Sequence, residues 1–286
     1  VNNKPLVTAI IPTYNEAAHI ADCLTSLLEQ TYLRLEIIVV DDGSTDKTVN
    51  LVRDFIEVKK SKTHITLLTQ KHLGPGAARN QAAAVAHGRI LVFVDADMVF
   101  DHGFINHLTA PIRQGKTIGT FSKEEYVANT KNQWAKSWSL LRGWQQGRMH
   151  SPDQPETQAV FRAITTGAFK QSGGFDQNRG YDDDWSLSEK LATLATNAPQ
   201  AIIYHKNPDS LGEIYTQSKW MAKRRYKFGL LGKLFALIRV SPIFSLINSH
   251  RLAKKHNFKP LFQAKLISDL GQLRGLIESF TGNTAR

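Results

Sequence analysis

Along the first hundred residues, short apolar runs alternate with stretches whose apolar residues recur every three or four positions. Val7–Ile11 reads as a strand, and Ala17–Gln30 as a helix with Ile20, Leu24, Leu27 and Leu28 on one face. Glu36–Asp41 is a second strand rich in Ile and Val. In "DDGSTD", Ser44 or Thr45 can cap the next helix, which carries Val49, Val52 and Ile56. Ile65–Thr69 reads as a third strand, "GPGAARNQAAAVAHG" as a helix closed by Gly88, and Ile90–Val94 as a fourth strand. Continuously apolar strands alternating with helices predict a parallel sheet covered on both faces.

The pattern is less regular from about 117 to 181. A helix rich in Trp is expected near Asn132–Arg148, "SPDQPETQ" reads as a loop, and a helix is expected at about Asp184–Thr196. From Gln217 onward the chain is basic and amphipathic. "YKFGLLGKLFALIRVSPIFSLI" is apolar but interrupted by Lys233, Arg239 and Pro242, which makes it a poor membrane span. The last helix places Phe262, Leu266, Leu270, Leu273, Ile277 and Phe280 at helical spacing.

Charge sharpens this division. The net charge of +11 belongs to the end of the chain: from Tyr215 onward, 14 Lys and Arg face only two carboxylates, Asp269 and Glu278. Such asymmetry points to an anionic partner for one region. Cys23 is the only cysteine, so an intrachain disulfide is excluded, in keeping with a reducing compartment. The opening "VNNKPLVTAIIPTYNE" shows no signal pattern before the first strand, although without an initiator Met a removed leader stays open.

Carboxylates gather where the strands end: Asp41 and Asp42 after the second, Asp95 and Asp97 after the fourth. In open α/β sheets ligands bind outside those carboxyl ends. Two acids one residue apart suit a divalent cation, because hard carboxylate oxygens hold Mg²⁺ or Mn²⁺ while leaving sites for water and phosphate.

Six segments in order carry a resemblance: "AIIPTYNE" (9–16), "VVDDGSTD" (39–46), "GPGAARN" (74–80), "VDADM" (94–98), "GGFD" (173–176) and "DDDW" (182–185). Over about residues 5 to 225 the chain resembles the inverting glycosyltransferases of family 2. The resemblance implies an α/β fold of GT-A type, with a Rossmann-like, mostly parallel sheet flanked by helices. A catalytic domain is expected at 1–225 and a basic amphipathic helical tail at 226–286. The implied reaction moves a sugar from a nucleotide-sugar donor, UDP-linked, to a saccharide or lipid-linked acceptor. Pro12, Thr13, Tyr14 and Glu16 would wall the base and ribose, Asp41 would accept a hydrogen bond from the base, and Arg79 would lie near the base or diphosphate. Asp95 would face the ribose or metal-bound water, and Ala96 would belong to the donor nucleotide site. Asp97 would ligate Mn²⁺ or Mg²⁺, and His205 would complete the metal or diphosphate site.

The general base is expected in "YDDDW". The family shows Glu-Asp-X-Asp here; aligned on Trp185, Tyr181 replaces the Glu, Asp182 is the base with Asp183 as the alternative, and Asp184 starts a helix whose dipole favours it. Processive members carry Gln-X-X-Arg-Trp, whereas this chain has the compressed "QSKW" with Gln217, Lys219 and Trp220, which favours one sugar per encounter. Rival readings are a sugar-nucleotide pyrophosphorylase, a silent nucleotide-sugar binder and a polyanion binder. The first needs a Gly-rich loop where "PTYNE" stands, and the last does not explain the strand-end acids, so no specific nucleic acid is expected. The tail has two readings. Lys223, Arg224, Arg225, Lys227, Lys254, Lys255 and Lys259 face anionic lipid, placing the chain peripherally on the inner, cytoplasmic face of a membrane; or its helices pack on the catalytic domain or on a sister chain in an oligomer.

Overall fold

The structure, a computed structural model, describes residues 4–280 apart from 60, 61, 146, 152, 178 and 225, and without the side chains of 180–182. Strands β1 (Val7–Thr13), β2 (Leu35–Asp41), β3 (His64–Thr69) and β4 (Ile90–Phe93) are joined by helices α1 (Ile20–Leu28), α2 (Thr48–Lys59) and α3 (Pro75–Val85). These four strands are mutually parallel in the spatial order β3-β2-β1-β4, with Thr13 level with Asp41 and Asp41 level with Thr69. Side chains of successive residues enter opposite cores. Ala9, Ile11, Ile37, Val39 and Val92 pack on one face, and Ile10, Ile38, Val40, Leu91 and Phe93 on the other. Burial on both faces is why these strands read as unbroken apolar runs.

The chain continues through β5 (Met98–Phe100), α4 (Phe104–Arg113), β6 (Gly119–Phe121), β7 (Glu125–Val127), α5 (Gln133–Arg142), β8 (Thr157–Gln158), β9 (Ala163–Thr165) and α6 (Thr166–Ser172). Then come α7 (Ser186–Leu191), β10 (Ala195–Asn197), β11 (Ile203–His205), α8 (Leu211–Met221), α9 (Gly229–Arg239), α10 (Pro242–His256) and α11 (Pro260–Phe280). β9 runs antiparallel between β4 and β6, and β10 and β8 complete an eight-stranded mixed sheet. A three-stranded sheet has the order β5-β11-β7.

Two compact units are present. The first comprises 1–126, 152–177 and 183–204 and contains the large sheet; the second comprises 127–151, 178–182 and 205–286. Within the second, α11 packs along α8 and α5, so residues 260–280 belong to a folded body shared with 127–151 and 205–221. Trp138, Ile214, Met221 and Ala264 form its core. The close approach explains which face of α11 is buried. A Cβ on Gly271 would lie 2.4 Å from the Tyr215 carbonyl, and one on Gly275 only 2.0 Å from that of Lys219. The small-residue face, with Ala264 and Ser268, is therefore inside. Leu270, Ile277 and Phe280 of the expected apolar stripe are exposed instead.

The helix expected at about Asp184–Thr196 is shorter. A 3₁₀ turn spans Gly180–Trp185, α7 closes at Ala192 in the left-handed region, and Ala195–Asn197 is the strand β10. Two β-branched threonines, Thr193 and Thr196, favour that extended exit.

Candidate active site

Two loops at the carboxyl edge of the parallel strands are laced together. Asn15, in the left-handed region at φ 58°, accepts the backbone N–H groups of Thr45 and Asp46 with Oδ1, and its own N–H donates to Ser44 Oγ. The Glu16 and Ala17 N–H groups donate to Thr48 Oγ1 and Asp46 Oδ2. The polar residues after β1 and β2 thus hold the "PTYNE" loop against "DDGSTD", with Asp46 also fixing the start of α2 through the Thr48 N–H. Thr13 is buried beneath, and Pro12, Tyr14 and Glu16 are half-buried.

Asp41 and Asp42, adjacent in sequence, are used differently. Asp42 accepts from the Leu73 and Gly74 N–H groups and Gln70 Nε2, and its Oδ2 lies 2.9 Å from His72 Nδ1, which consumes it in organising the loop before α3. Asp41 Oδ2 accepts from the Gly43 and Ser44 N–H groups, but its buried Oδ1 has no hydrogen-bond partner. A buried carboxylate oxygen left unmatched costs about 1–3 kcal/mol, which points to a ligand donor. Tyr14 stacks on His72 with ring centroids 4.0 Å apart beside this loop, and His72 Nε2 is likewise buried without a partner. His72 is invisible to the motif reading; its one signal was its place in the loop that opens α3.

At the end of β4 the acids surround two arginines, Arg79 buried and Arg162 half-buried. Arg79, on α3, places Nη2 3.0 Å from Asp95 Oδ1 and Nη1 2.5 Å from Asp184 Oδ1 and 3.5 Å from Asp183 Oδ1, with Phe175 beneath its guanidinium. Burial alone would lower its proton affinity, but Asp184, Asp183 and Asp95 hold it firmly charged. Arg162 places Nη1 3.1 Å from Asp95 Oδ2 and Nη2 3.7 Å from Glu125 Oε1. Arg162 and Glu125 escaped the sequence reading, although a lone Arg inside the apolar "VFRAIT" was a usable signal.

Asp183 is packed so closely on α3 that a Cβ at Gly76 would sit 2.7 Å from its Oδ2, an oxygen with no hydrogen-bond partner. Burial first, then the charges of Asp184 and Asp95, push the Asp183 carboxyl up to about 7 against the opposing pull of Arg79. Asp184, expected to serve a helix start, turns onto Arg79 and keeps its side chain 35% exposed against 5% for Asp183. Asp182 lies in the same 3₁₀ turn, but its side chain is outside the described residues. The indole of Trp185 is 53% exposed next to the pair.

Asp97 is half-buried in the turn between β4 and β5, with Ala96 buried before it. Beneath that turn, burial and then the charges of Asp97, Asp95, Glu16 and Asp22 hold the Cys23 thiol well above its ordinary range. A divalent ion carried by a nucleoside diphosphate needs one or two protein carboxylates, the rest coming from phosphate and water. Asp97 in this field fits such a role, while both Asp95 oxygens are engaged by arginines. Among the described residues no three His, Cys, Asp or Glu side chains form a complete metal cage. His205 is the last residue of β11 and the first of its segment of the second unit, where its carbonyl accepts the Ala128 N–H.

Residues 8–171 match the sequence profile described as "Glycosyl transferase family 2". The chain belongs to glycosyltransferase family 2. Within this family it is 39% identical over 97 residues to the uncharacterized glycosyltransferase YibD of Escherichia coli K12, a match covering 34% of this chain and 27% of YibD. The chain spans well under half the length of the curated relatives it matches. Among solved structures it is similar to the mannosyltransferase PcManGT of Pyrobaculum calidifontis in complex with GDP-Man and Mn²⁺, with a TM-score of 0.60, 22% identity, and coverage of 98% of this chain and 75% of that one. It is likewise similar to S. aureus TarS residues 1–349 in complex with UDP-GlcNAc, with a TM-score of 0.59, 18% identity, and coverage of 96% and 91%. Both share the GT-A fold expected from the six segments. The Asp95–Asp97 turn and Asp41 thus lie at the carboxyl edge of a family 2 sheet, where Arg79 on α3 reaches Asp95.

Proposed function

We propose that this family 2 chain is an inverting glycosyltransferase that moves a sugar from a UDP-linked donor to a saccharide or lipid-linked acceptor with the help of Mn²⁺ or Mg²⁺. The observation that carries the reading is the unmatched buried Oδ1 of Asp41 at the same sheet edge as the Arg79 acid cluster. A carboxylate acceptor there suits the imino N–H of uracil, and Tyr14, with Pro12 and Thr13, forms the adjoining wall. Support for a nucleotide-sugar donor and a divalent ion also comes from the ligands of the two similar structures, GDP-Man with Mn²⁺ and UDP-GlcNAc.

When bound, the cation supplies Lewis-acid stabilisation of charge growing on the leaving diphosphate. Asp97 is the carboxylate that would hold it. Arg79 and Arg162 hold the Asp95 carboxylate from both oxygens. The proton of the acceptor hydroxyl passes to the Asp183–Asp184 pair. Asp184 carries the oxygen an acceptor can reach, and the Asp183 carboxyl beside it is pushed up to about 7, near the neutral range where a general base is most effective. The exposed face of Trp185 suits stacking against a sugar ring. The "QSKW" segment on α8 favours a single transfer per encounter.

The test is release of nucleoside diphosphate from a panel of UDP- and GDP-sugars with saccharide acceptors. Release that needs both acceptor and divalent ion supports the reading; donor binding without turnover on any acceptor returns the chain to a silent binder. Asp41→Asn keeps an acceptor for the Gly43 and Ser44 N–H groups but turns an amide donor toward the base. Loss of a charge-assisted hydrogen bond of about 1.5–3 kcal/mol predicts donor affinity weakened about 10–100-fold by calorimetry, with kcat changed far less. Unchanged affinity would remove Asp41 from the base site.

A further inference from the structure

Helix α10 is inside out for a helix facing water. Its buried positions are Ser245 and Ser249, one turn apart, while Ile243, Phe244, Leu246 and Ile247 are exposed. α9 buries no residue at all and exposes Leu230, Leu231, Leu234, Phe235 and Ile238, which recur at helical spacing along one stripe. Exposed apolar side chains scattered singly are ordinary, but a set this large on two consecutive helices marks an interaction surface.

Charge identifies the occupant. No carboxylate occurs between Glu213 and Asp269. The two acids that follow are already matched, Asp269 by Lys265 and Glu278 by Lys223 and Arg274. Lys223, expected to face lipid, is buried in that ion pair and is withdrawn from the set; Arg225 lies outside the described residues. Arg224, Lys227, Arg239, Arg251, Lys254 and Lys255 are exposed around the apolar helices. An apolar face bordered by cations, without an acid in the intervening chain, matches an anionic lipid surface better than a protein of mixed charge.

Length sets the mode of contact. No single helix among the described residues is long and apolar enough to cross a membrane; α9 and α10 reach that length and apolarity only as a pair, and the pair is broken by a 64° bend next to Pro242. At 1.5 Å per residue each helix is about 16–23 Å long, short of a ~30 Å hydrocarbon core. We propose that α9 and α10 dock the protein in the interface of an anionic bilayer, with the Leu230–Ile247 apolar face inserted and the flanking Lys and Arg at the headgroups. The proposal stands apart from the transfer reaction and holds whether or not the donor reading survives.

The experiment is co-sedimentation of the full chain with vesicles of phosphatidylcholine alone or with one quarter phosphatidylglycerol. The anionic vesicles are expected to bind at least about tenfold better, with binding weakened by salt. The variant Phe235→Ser/Ile243→Ser/Phe244→Ser changes only exposed side chains, so it should keep its melting temperature while losing binding at least about tenfold. Lys254→Glu/Lys255→Glu should lose at least about fivefold, from the contribution of each cation near the surface. The wild type remaining in the supernatant with anionic vesicles overturns the proposal. So does equal binding by wild type and the serine variant. A wild-type dimer in sedimentation velocity that the serine variant abolishes, with no vesicle binding, also overturns it and assigns the face to a second copy of the chain.

Discussion

Arg79→Met is expected to lower stability by about 3 kcal/mol or more at pH 8, because it leaves Asp183 buried beside Asp184 and Asp95 without the cation that all three share. The sign with pH follows from linkage. Arg79 pulls the Asp183 carboxyl down; without the guanidinium Asp183 gains proton affinity in the folded state, so the folded variant binds more protons than the wild type does. Its deficit should therefore shrink as pH falls and the acids neutralise, and grow as pH rises. Urea titrations of both proteins from pH 5 to 8 measure this directly. Arg79→Lys keeps the charge but cannot fork between Asp95 and Asp184, so it should recover only part of the loss. Equal stability of wild type and methionine variant across that range would mean that the cluster is not held by Arg79.

The second large effect concerns the proton of the acceptor. Asp184→Asn should lower kcat by about 10²–10⁴-fold with donor affinity retained, the usual contribution of a positioned general base. Asp183→Asn should lower kcat less but displace the acid limb of the pH–rate profile. In the wild type that limb is expected to rise through about pH 7, the value to which burial and then Asp184 and Asp95 push the Asp183 carboxyl. Removing Asp183 removes the carboxyl that titrates near 7, so the limb at that pH should be lost. Asp182→Asn, measured in the same series, ranks the first acid of the run against the other two. Full activity in Asp184→Asn would take Asp184 out of the chemistry and return the role to Asp182 or Asp183.

How much of this could be read from the sequence depended on whether the determining interactions were local. β1, β2 and β4 were legible because residues buried on both faces leave an unbroken apolar run, and Asp41, Asp95 and Asp97 because strand ends follow from strands. Arg79 was located by its segment, but its three carboxylate partners lie 16 to 105 positions away, beyond any periodicity. Arg162 and Glu125 matter only through ion pairs that the folded chain creates. Asp184 was read as a helix-start charge because three consecutive acids before a helix satisfy that rule locally; the nearby guanidinium overrides it. The face of α11 was misplaced for a related reason. Hydrophobic spacing favoured Leu270 and Ile277, whereas the close approach of α8 is possible only over Gly271 and Gly275.

On the proposed reading, Asp97 holds a nucleoside diphosphate through a divalent ion while Asp41 reads its base. Calorimetric titration of UDP into the full chain, with Mn²⁺ and then with the ion chelated, tests it most directly. Saturable one-to-one binding with Mn²⁺ that weakens at least about tenfold on chelation is the predicted result. Binding of equal strength without the ion, or no binding in either condition, would contradict it.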